Sequence, residues 1–377
     1  MGLVLAISLV ILIILIQYLL YKKHWNDELK VDVSFDSSVV YEGAENVLRE
    51  VITNGKWLPL PILQIKFSIT REFVFERQES ASVTDNYYRN EFFTVMPYMK
   101  ITRSYPFICA KRGLYWMNSM DIICRSLFLE KKMIEPLEHE ASVCVLPRKI
   151  AEKCIPVCVN NLLGDIEKNM HINEDPFTFA GIRDYQPFDS MHSINWKVTA
   201  RLSKLQVNQY NTTFSKKVVI LLNVSAHSMQ NEFDISEWVI RIAAHIARVL
   251  VMQRMPVAVY TNGLDIIDGK CPQIQAGAVV EHIRTVETAL ARIDLKQRPE
   301  SFAKLMENTV VDSKDAVEYL IISNSRKNDE ISAYEKLLNM GYNAHYIIPE
   351  FEYIGIEDKF DSEKYTGWII TDEDEEI

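Results

Sequence analysis

The residues best suited to specific chemistry lie in one short block that crowds charged and aromatic side chains together. The block runs Gly181-Ile182-Arg183-Asp184-Tyr185-Gln186-Pro187-Phe188-Asp189 and continues with Ile194-Asn195-Trp196-Lys197-Val198-Thr199-Ala200-Arg201. Planar guanidinium groups form bidentate bonds with carboxylates and stack on aromatic rings. These residue types favour a structural clasp, in which two arginines pair with two aspartates while two aromatic side chains pack beneath. The members of the clasp are Arg183, Arg201, Asp184, Asp189, Tyr185 and Trp196.

A basic docking face is the second interpretation of the same block. From Gly181 to Lys217 the only acidic residues are Asp184 and Asp189. The basic residues of this stretch are Arg183, Lys197, Arg201, Lys204, Lys216 and Lys217. Such a face suits an acidic partner or an anion, and a rigid clasp can also display it. The whole chain carries a formal net charge of −10, which argues against nucleic acid because binding to phosphates needs a basic surface.

The block resembles the signature of a bacterial membrane-protein family, domain-of-unknown-function family fifty-eight. The family pattern reads G-x-R-[DE]-Y-x-x-x-D, followed by I-x-W-x-x-x-A-R. The matching positions are Gly181, Arg183, Asp184, Tyr185, Asp189, Trp196 and Arg201. His192 and Asn195 depart from the residues that the family often has there. The resemblance implies a von Willebrand factor A-like domain after the block, and a MoxR-type AAA+ ATPase as partner.

The implied von Willebrand A-like domain raises the question of a metal site. In such domains the first strand usually ends in D-x-S-x-S, whose oxygens bind a divalent cation. The resemblance places Asn223, Ser225 and His227 at these positions. Asn223 lacks the carboxylate charge, His227 offers an imidazole instead of a hydroxyl, and Asn324 stands where relatives often carry an acid. We expect a loop that keeps the fold and has lost the metal, with a weak Mg²⁺ or Mn²⁺ site as the alternative.

No catalytic centre is predicted. The sequence contains no P-loop, G-x-G-x-x-G, H-E-x-x-H or G-x-S-x-G motif. His171 lies near Asn173, Glu174 and Asp175, but no neighbour suggests a nucleophile, so a solvated loop is expected. The cysteines lack the second pair of ligands that a zinc site needs, and we expect buried free thiols, kept reduced in a cytoplasmic setting. They are Cys109, Cys124, Cys144, Cys154, Cys158 and Cys271.

The elements that position these residues form an α/β pattern in the second half of the chain. Residues 218–222 are a continuous apolar run, typical of a strand buried on both faces. Asp234 and Glu237 have capping-box spacing and open a long helical pattern. Strand and helix patterns then alternate, which predicts a doubly wound domain of parallel strands over residues 216–371. The later strands are predicted at 257–260, 319–322 and 346–348, and the later helices at 281–292 and 329–341.

The first half of the chain reads as β structure. Short alternating runs with turn signals every ten or so residues predict a small antiparallel β-sandwich-like domain over 30–148. Residues 149–180 are predicted as a linker and 181–215 as the signature segment. The acidic end, 372–377, is predicted as a solvated tail.

The amino terminus is predicted to be a membrane anchor over residues 1–24. Leu3 to Tyr21 is interrupted only by Ser8 and Gln17, and its 19 residues span roughly 28 Å at the helical rise. A cleaved signal peptide needs a basic start and small residues at its end, and neither is present. Lys22 and Lys23 follow the run, so the positive-inside tendency places the bulk of the chain in the cytoplasm.

Together these features predict a multi-domain membrane protein that works by interaction and not as an enzyme. The resemblance implies an adaptor that acts with a MoxR-type ATPase in assembly at the cell envelope. A cation-dependent von Willebrand A-type receptor with a degenerate metal site is the alternative. A hydrolase ranks last, since no Cys-His-Asp arrangement is recognisable.

Overall fold

The computed structural model describes residues 2–75, 81–83, 86–125, 132–169, 172–187, 189–214, 217–225, 232–311, 317–325, 327–351 and 365–371. His171, Lys216, His227 and the tail at 372–377 lie outside these ranges, and so do the predictions made for them. The chain divides into two compact units. Unit 1 comprises Met1–Arg148 and Leu290–Ile293, and unit 2 comprises Lys149–Ala289 and Asp294–Ile377.

Unit 1 begins with helix α1 (Gly2–His24), which is long and apolar enough to cross a membrane. A membrane anchor and a cleaved signal sequence would both have a helix of this length and apolar character. The apolar window of the helix has none of its residues buried, but its end is different. Tyr21 is 1% exposed and Trp25 is 8% exposed, and both belong to the core of the β structure that follows. The Tyr21 hydroxyl donates a hydrogen bond of 2.7 Å to the carbonyl of Pro59.

The rest of unit 1 is β structure, and its described part contains two sheets. In chain order the strands are β1 (Leu29–Phe35), β2 (Val39–Tyr41), β3 (Glu45–Asn54), β4 (Leu60–Thr70), β5 (Phe73–Phe75), β6 (Ala81–Val83), β7 (Asn86–Val95), β8 (Lys100–Cys109), β9 (Gly113–Arg125) and β10 (Lys132–Leu146). The sheet orders are β1-β3-β8-β5 and β2-β10-β9-β4-β7-β6. All these pairs are antiparallel except that of β2 with β10.

Both sheets of unit 1 contribute to one hydrophobic core, so the predicted sandwich-like arrangement is present. Strand β3 alternates between buried and less buried residues, as a strand with one face on a core must. Phe35, Phe73 and Phe107 pack ring against ring within this core, with centroids 4.6 to 6.0 Å apart. Burial of these large apolar side chains stabilises the unit.

Beyond Arg148 the chain alternates helices with strands. The helices are α2 (Val157–Asn169), α3 (Trp196–Leu202), α4 (Glu232–Met252), α5 (Val280–Ala291), α6 (Phe302–Val311) and α7 (Asn328–Asn339), with 3-10 turns at Glu152–Cys154 and Met191–Ser193. The strands are β11 (Ile172–Asp184), β12 (Gln206–Phe214), β13 (Lys217–Leu222), β14 (Val257–Thr261), β15 (Leu264–Asp265), β16 (Gln273–Gly277), β17 (Ile293–Asp294), β18 (Val317–Ile322), β19 (Asn343–Phe351) and β20 (Tyr365–Ile370).

The main sheet of unit 2 has the order β16-β14-β13-β18-β19-β20. Its strands are parallel apart from β16, which pairs antiparallel with β14. Consecutive residues of β13 from Val218 to Leu222 are all buried, so helices cover both faces of the sheet, as its continuous apolar run predicts. Helices α6 and α7 share a core cluster with one face of the sheet. The parallel strands therefore end together at one edge of the sheet.

The region predicted as a linker, 149–180, contains helix α2 and the first part of β11. Strand β11 continues past Gly181 and pairs antiparallel with β12 as a separate two-stranded sheet. No boundary therefore falls at residue 180. Another difference concerns Asp234, which lies inside the first turn of α4 because that helix begins at Glu232, so it cannot be the cap expected from its spacing.

Candidate functional site

Polar side chains follow three neighbouring strands of the main sheet at the edge where those strands end. Asn223 follows β13, Asn262 follows β14 and Ser323 follows β18. Two further residues complete the group. Ser225 lies two residues after Asn223, and Glu330 lies in the first turn of α7. Ligands of open α/β sheets bind at the carboxyl ends of the strands, so this is the position where a site is expected. We call these five residues the edge cluster.

Asn223 is the centre of the edge cluster and is fully buried. Its amide nitrogen donates to Ser323 Oγ at 2.9 Å and to Glu330 Oε2 at 3.1 Å. Its amide oxygen accepts from the backbone N–H of Ser225 at 3.0 Å and from Asn262 Nδ2 at 2.8 Å. An amide side chain has two donor hydrogens and two acceptor positions. All four are used within the protein.

Asn262 joins the loops at two strand ends. Its amide oxygen accepts from the backbone N–H of Val224 at 2.9 Å. Its amide nitrogen, besides the bond to Asn223, lies 3.2 Å from Ser225 Oγ and 3.0 Å from the carbonyl of Glu300. Reasoning from the sequence missed both Asn262 and Glu330. Asn262 carries a readable signal, since it belongs to the polar pair Thr261-Asn262 that directly follows the apolar strand pattern at 257–260.

Glu330 is the one carboxyl group of the edge cluster, and it is 2% exposed. Burial raises the pKa of this carboxyl, although the hydrogen bond from Asn223 and the nearby charge of Lys327 act in the opposite direction. At a given pH, a carboxyl group with a raised pKa is ionised to a smaller extent than an exposed carboxyl group.

These residues do not fit a divalent cation. Mg²⁺ requires several oxygen ligands with anionic charge, whereas Asn223 turns an N–H donor group toward Glu330. The side chain of Asn324 is directed elsewhere, with Nδ2 donating to the carbonyl of Pro349 at 2.7 Å. Within the residues that the structure describes, no group of three His, Cys, Asp or Glu side chains is placed to hold a metal. Of the predicted positions, Asn223 and Ser225 thus belong to a hydrogen-bond network.

In the signature block, Arg183 and Asp189 form the bidentate pair that the clasp requires. The two guanidinium nitrogens of Arg183 lie 2.6 and 2.7 Å from the carboxylate oxygens of Asp189. The backbone N–H of Gln186 donates to the same carboxylate at 2.8 Å. The hydrogen bond from Arg183 lowers the pKa of Asp189, and that from Gln186 adds to it. Together these bonds tie the end of β11 to the loop that follows.

The rest of the predicted clasp, a second arginine–aspartate pair with two aromatic side chains packed beneath, is wrong. Asp184 lies opposite Gln206 in the β11–β12 pair and accepts from Gln206 Nε2 at 2.5 Å. Arg201 is exposed in the last turn of α3, and no ion pair joins it to any residue that the structure describes. Trp196 is 64% exposed and therefore does not pack beneath an ion pair, while Tyr185 is half-buried.

The cause of the exposed tryptophan is the cap of helix α3. Asn195 Oδ1 accepts from the backbone N–H of Val198 at 3.1 Å, and Asn195 Nδ2 donates to Asn208 at 2.7 Å. This cap makes Trp196 the first residue of the helix. Ile194, which bridges to Val207, takes the buried position in its place.

Apolar side chains around α3 are also open to solvent. We define the signature surface as the exposed residues Met191, Trp196, Arg201, Leu202 and Leu205. Gly181 lies in β11 with open space where a Cβ atom would stand and with no left-handed backbone. Glycine is thus not required there by the packing of this chain. Lys197, within α3, and Lys204, shortly after it, are also exposed.

Residues 181–340 match a family model described as "Protein of unknown function DUF58". We call these matched residues the DUF58 segment. The resemblance drawn from the block at 181–201 is confirmed by this match. The DUF58 segment contains the whole edge cluster as well as the signature surface.

No curated protein matches the chain. Many solved structures match part of the chain, three of which are the following. The CARDB domain of the PF1109 protein from Pyrococcus furiosus, in complex with di-metal ions, is 12% identical with a TM-score of 0.20, covering 32% of this chain and 94% of that chain. A non-cellulosomal cohesin from Archaeoglobus fulgidus is 10% identical with a TM-score of 0.22, covering 31% and 91%. BslA, a bacterial hydrophobin, is 11% identical with a TM-score of 0.22, covering 32% and 96%.

The cysteines of the chain are all free, whether inside or outside the DUF58 segment. Cys109, Cys124 and Cys144 are buried as expected. Burial raises the pKa of Cys109 and of Cys124 to about 12, so these thiols are poor nucleophiles at neutral pH. Cys158 is exposed, and the expectation of burial was wrong there.

Proposed function

We propose that this protein is a membrane-anchored, non-enzymatic adaptor whose DUF58 segment binds a partner protein through the signature surface. The observation that carries the proposal is the exposure of Trp196, with Arg201 in the last turn of the same helix. Tryptophan and arginine are enriched among the residues that dominate protein–protein binding energy. The bidentate pair of Arg183 and Asp189 fixes the loop after β11, which leads along the chain to this surface.

The partner in this proposal is a MoxR-type AAA+ ATPase, which the family resemblance implies. ATP is hydrolysed by the partner, and this chain supplies the docking face. The basic side chains Lys197 and Lys204 beside α3 suit an acidic surface on the ATPase. Assembly at the cell envelope is the process that this pairing would serve.

We interpret the main sheet of unit 2 as von Willebrand A-like. Numbered along the chain, its strands have the order 3-2-1-4-5-6, with the third strand antiparallel at the edge. The saturated hydrogen bonds of Asn223 favour the adaptor over the cation-dependent receptor. To bind a cation, this side chain would have to give up two bonds inside the protein. The raised pKa values of Cys109 and Cys124 count against a hydrolase that would use either thiol as its nucleophile.

Helix α1 serves as an uncleaved anchor in this proposal. Removing the apolar helix as a signal peptide would take Tyr21 out of the core of the sandwich. Lys22 and Lys23 at its end favour a cytoplasmic location for the rest of the chain. That side of the membrane holds the ATP that the proposed partner needs.

Co-purification from detergent tests the proposal directly. Full-length tagged protein and a purified MoxR-type ATPase are mixed with and without nucleotide, and the ATPase retained is measured. We expect wild type to retain it and Trp196→Ala to lose most of the binding. Trp116→Ala is the matched control, because Trp116 is also exposed but lies in β9 of unit 1. Failure of wild type to retain any ATPase in either condition contradicts the partner assignment.

Calorimetry decides between the adaptor and the receptor. Full-length protein in detergent is titrated with Mg²⁺ and with Mn²⁺ to millimolar concentration. We expect no heat of binding, since the edge cluster turns an amide N–H toward Glu330. A binding heat that Asn223→Ala abolishes would favour the receptor.

A further inference from the structure

The end of the sandwich from which α1 leaves carries large exposed apolar side chains. Two loops meet at this end, residues 55–59 between β3 and β4 and residues 96–99 between β7 and β8. The backbone N–H of Tyr98 donates to the carbonyl of Lys56 at 3.2 Å, and that of Asn54 donates to the carbonyl of Met99 at 2.9 Å. Asn54 Nδ2, which is buried, also donates to the carbonyl of Met96 at 3.0 Å. The two loops therefore form one rigid tip.

The side chains that this tip presents to the outside are of the kinds found at membrane interfaces. Trp57 is 57% exposed and Tyr98 is 73% exposed, with Met96 and Met99 beside them. Tryptophan and tyrosine concentrate at the level of lipid headgroups. Tyr98 holds a left-handed backbone, with φ 55°, where glycine or asparagine costs less. A large aromatic side chain in a strained and exposed position is poorly explained by the packing of the sandwich alone.

A groove joins this tip to the apolar helix. It has a volume of about 310 Å³ and is lined by α1 on one side and by Trp57, Leu58 and Pro59 on the other. The helix residues that line it are Ile13, Ile16, Gln17, Leu20 and Tyr21. From Tyr21 back to Ile13 is about 12 Å at the helical rise of 1.5 Å per residue. The 57–59 loop thus flanks the helix well inside the apolar stretch, and not only at its end.

The position of the groove decides what fills it. The wall formed by α1 belongs to the segment that would span the bilayer, so the surroundings of the groove are hydrocarbon. Lys22 and Lys23, both exposed, follow at the level expected for phosphate headgroups. We propose that the tip formed by residues 57–59 and 96–99 is inserted into the bilayer beside α1, with the acyl chain of a phospholipid in the groove. This inference rests on the proposed role of α1 as a membrane anchor.

Insertion of the tip adds a second attachment to the one that α1 supplies. A single helix leaves a domain free to tilt about its point of exit, whereas two attached points restrict that motion. The buried Tyr21 and its bond to Pro59 hold the helix against the loop that enters the membrane. Unit 1 is thereby held in a set orientation to the bilayer.

Quenching of tryptophan fluorescence by brominated lipid tests the inference. Full-length protein is reconstituted into vesicles of phosphatidylcholine and phosphatidylglycerol, with and without bromine on the acyl chains. We expect Trp57→Phe to lose most of the bromine-dependent quenching seen in wild type. Trp25 is unchanged in both proteins, so the difference between them isolates Trp57. The conservative change is made at an exposed site and leaves the core intact.

Trp116→Phe is the control, because Trp116 is also exposed and stands away from the tip. Strand β9 pairs with the start of β4 at Arg125, and Trp116 is nine residues further back, roughly 30 Å along the strand. Its removal is expected to leave quenching by brominated lipid unchanged. Equal quenching in wild type and Trp57→Phe overturns the inserted tip while leaving the anchor in place. Protein that fails to float with the vesicles overturns the anchor itself and the inference with it.

Discussion

At the scale of single residues, Asn223 shows how one amide group can hold the ends of neighbouring strands together. The Asn223 amide draws Ser323 and Glu330 together and accepts from Ser225 and Asn262. Hydrogen bonds of a neutral group thus join the loops that follow three parallel strands. The sequence predicted the loss of anionic charge at this position, because the residue type alone reveals it. It did not predict Glu330, which comes from a helix more than a hundred residues away in the chain.

Asn223→Asp should destabilise unit 2. The substitution removes the N–H groups that donate hydrogen bonds to Ser323 and Glu330. It also places a second carboxyl group beside Glu330 in a buried site. Leaving buried polar groups without partners costs about 1–3 kcal/mol. Urea unfolding of the full chain in detergent, followed by the fluorescence of the buried Trp238 and Trp368, measures the loss. Asn328→Asp, an exposed change at the start of α7, is the control, and equal stability of the two variants would contradict the assignment.

Glu330→Gln should remove a pH dependence from the stability of unit 2. Burial raises the pKa of Glu330 in the folded state, so the unfolded state releases this proton at lower pH than the folded state does. The stability that the protonated group contributes is complete below the ordinary pKa of glutamate and is lost as pH rises through the raised pKa. Glutamine imitates the protonated form and can still accept from Asn223. Unfolding free energies measured across this window should decline with pH in wild type and less in the variant, whereas Glu335→Gln, an exposed change in the same helix, should follow wild type.

At the scale of elements, the pair of Arg183 and Asp189 fastens the loop after β11. Arg183→Lys should weaken this loop, because an ammonium group cannot make the two parallel bonds of a guanidinium. The pKa of Asp189 is lowered in the folded state, so the contribution of the pair is present above the ordinary pKa of aspartate and is lost as pH falls through the lowered pKa. Protection of the Gln186 amide, measured as its hydrogen-exchange rate relative to the intrinsic rate at the same pH, should fall in Arg183→Lys and in wild type at acid pH. An unchanged exchange rate in the variant would contradict the fastening role.

The elements that could be predicted from sequence are those with a strong period. The apolar run at 218–222 lies in β13, and the helices predicted at 281–292 and 329–341 correspond to α5 and α7 within two residues. Strand β11 was not predicted, because its polar residues resemble a loop and its partner β12 begins 22 residues after it ends. The exposure of Trp196 escaped prediction for a related reason. Only the cap at Asn195 decides which of Ile194 and Trp196 turns inward.

At the scale of the whole molecule, the proposed topology predicts where the carboxyl terminus lies. Lys22 and Lys23 favour the cytoplasm for everything after α1. A carboxyl-terminal tag should therefore be protected from added protease in intact spheroplasts and become accessible after lysis. A periplasmic domain fused to another membrane protein serves as the control for protease activity. Cleavage of the tag in intact spheroplasts would reverse the topology and remove the access of this chain to a cytoplasmic ATPase.

The end of helix α1 and the sandwich of unit 1 share one core, and this predicts that damage to the end of the helix destabilises the sandwich. Tyr21→Ala should lower the free energy of unfolding by about 3–5 kcal/mol, the usual cost of removing a buried aromatic side chain. Tyr21→Phe loses only the hydrogen bond to Pro59, at about 1 kcal/mol. Ile13→Ala is the control, since that side chain is 51% exposed in the same helix. If Tyr21→Ala unfolds no more easily than Ile13→Ala in detergent, α1 is only a tether and its end does not belong to the domain.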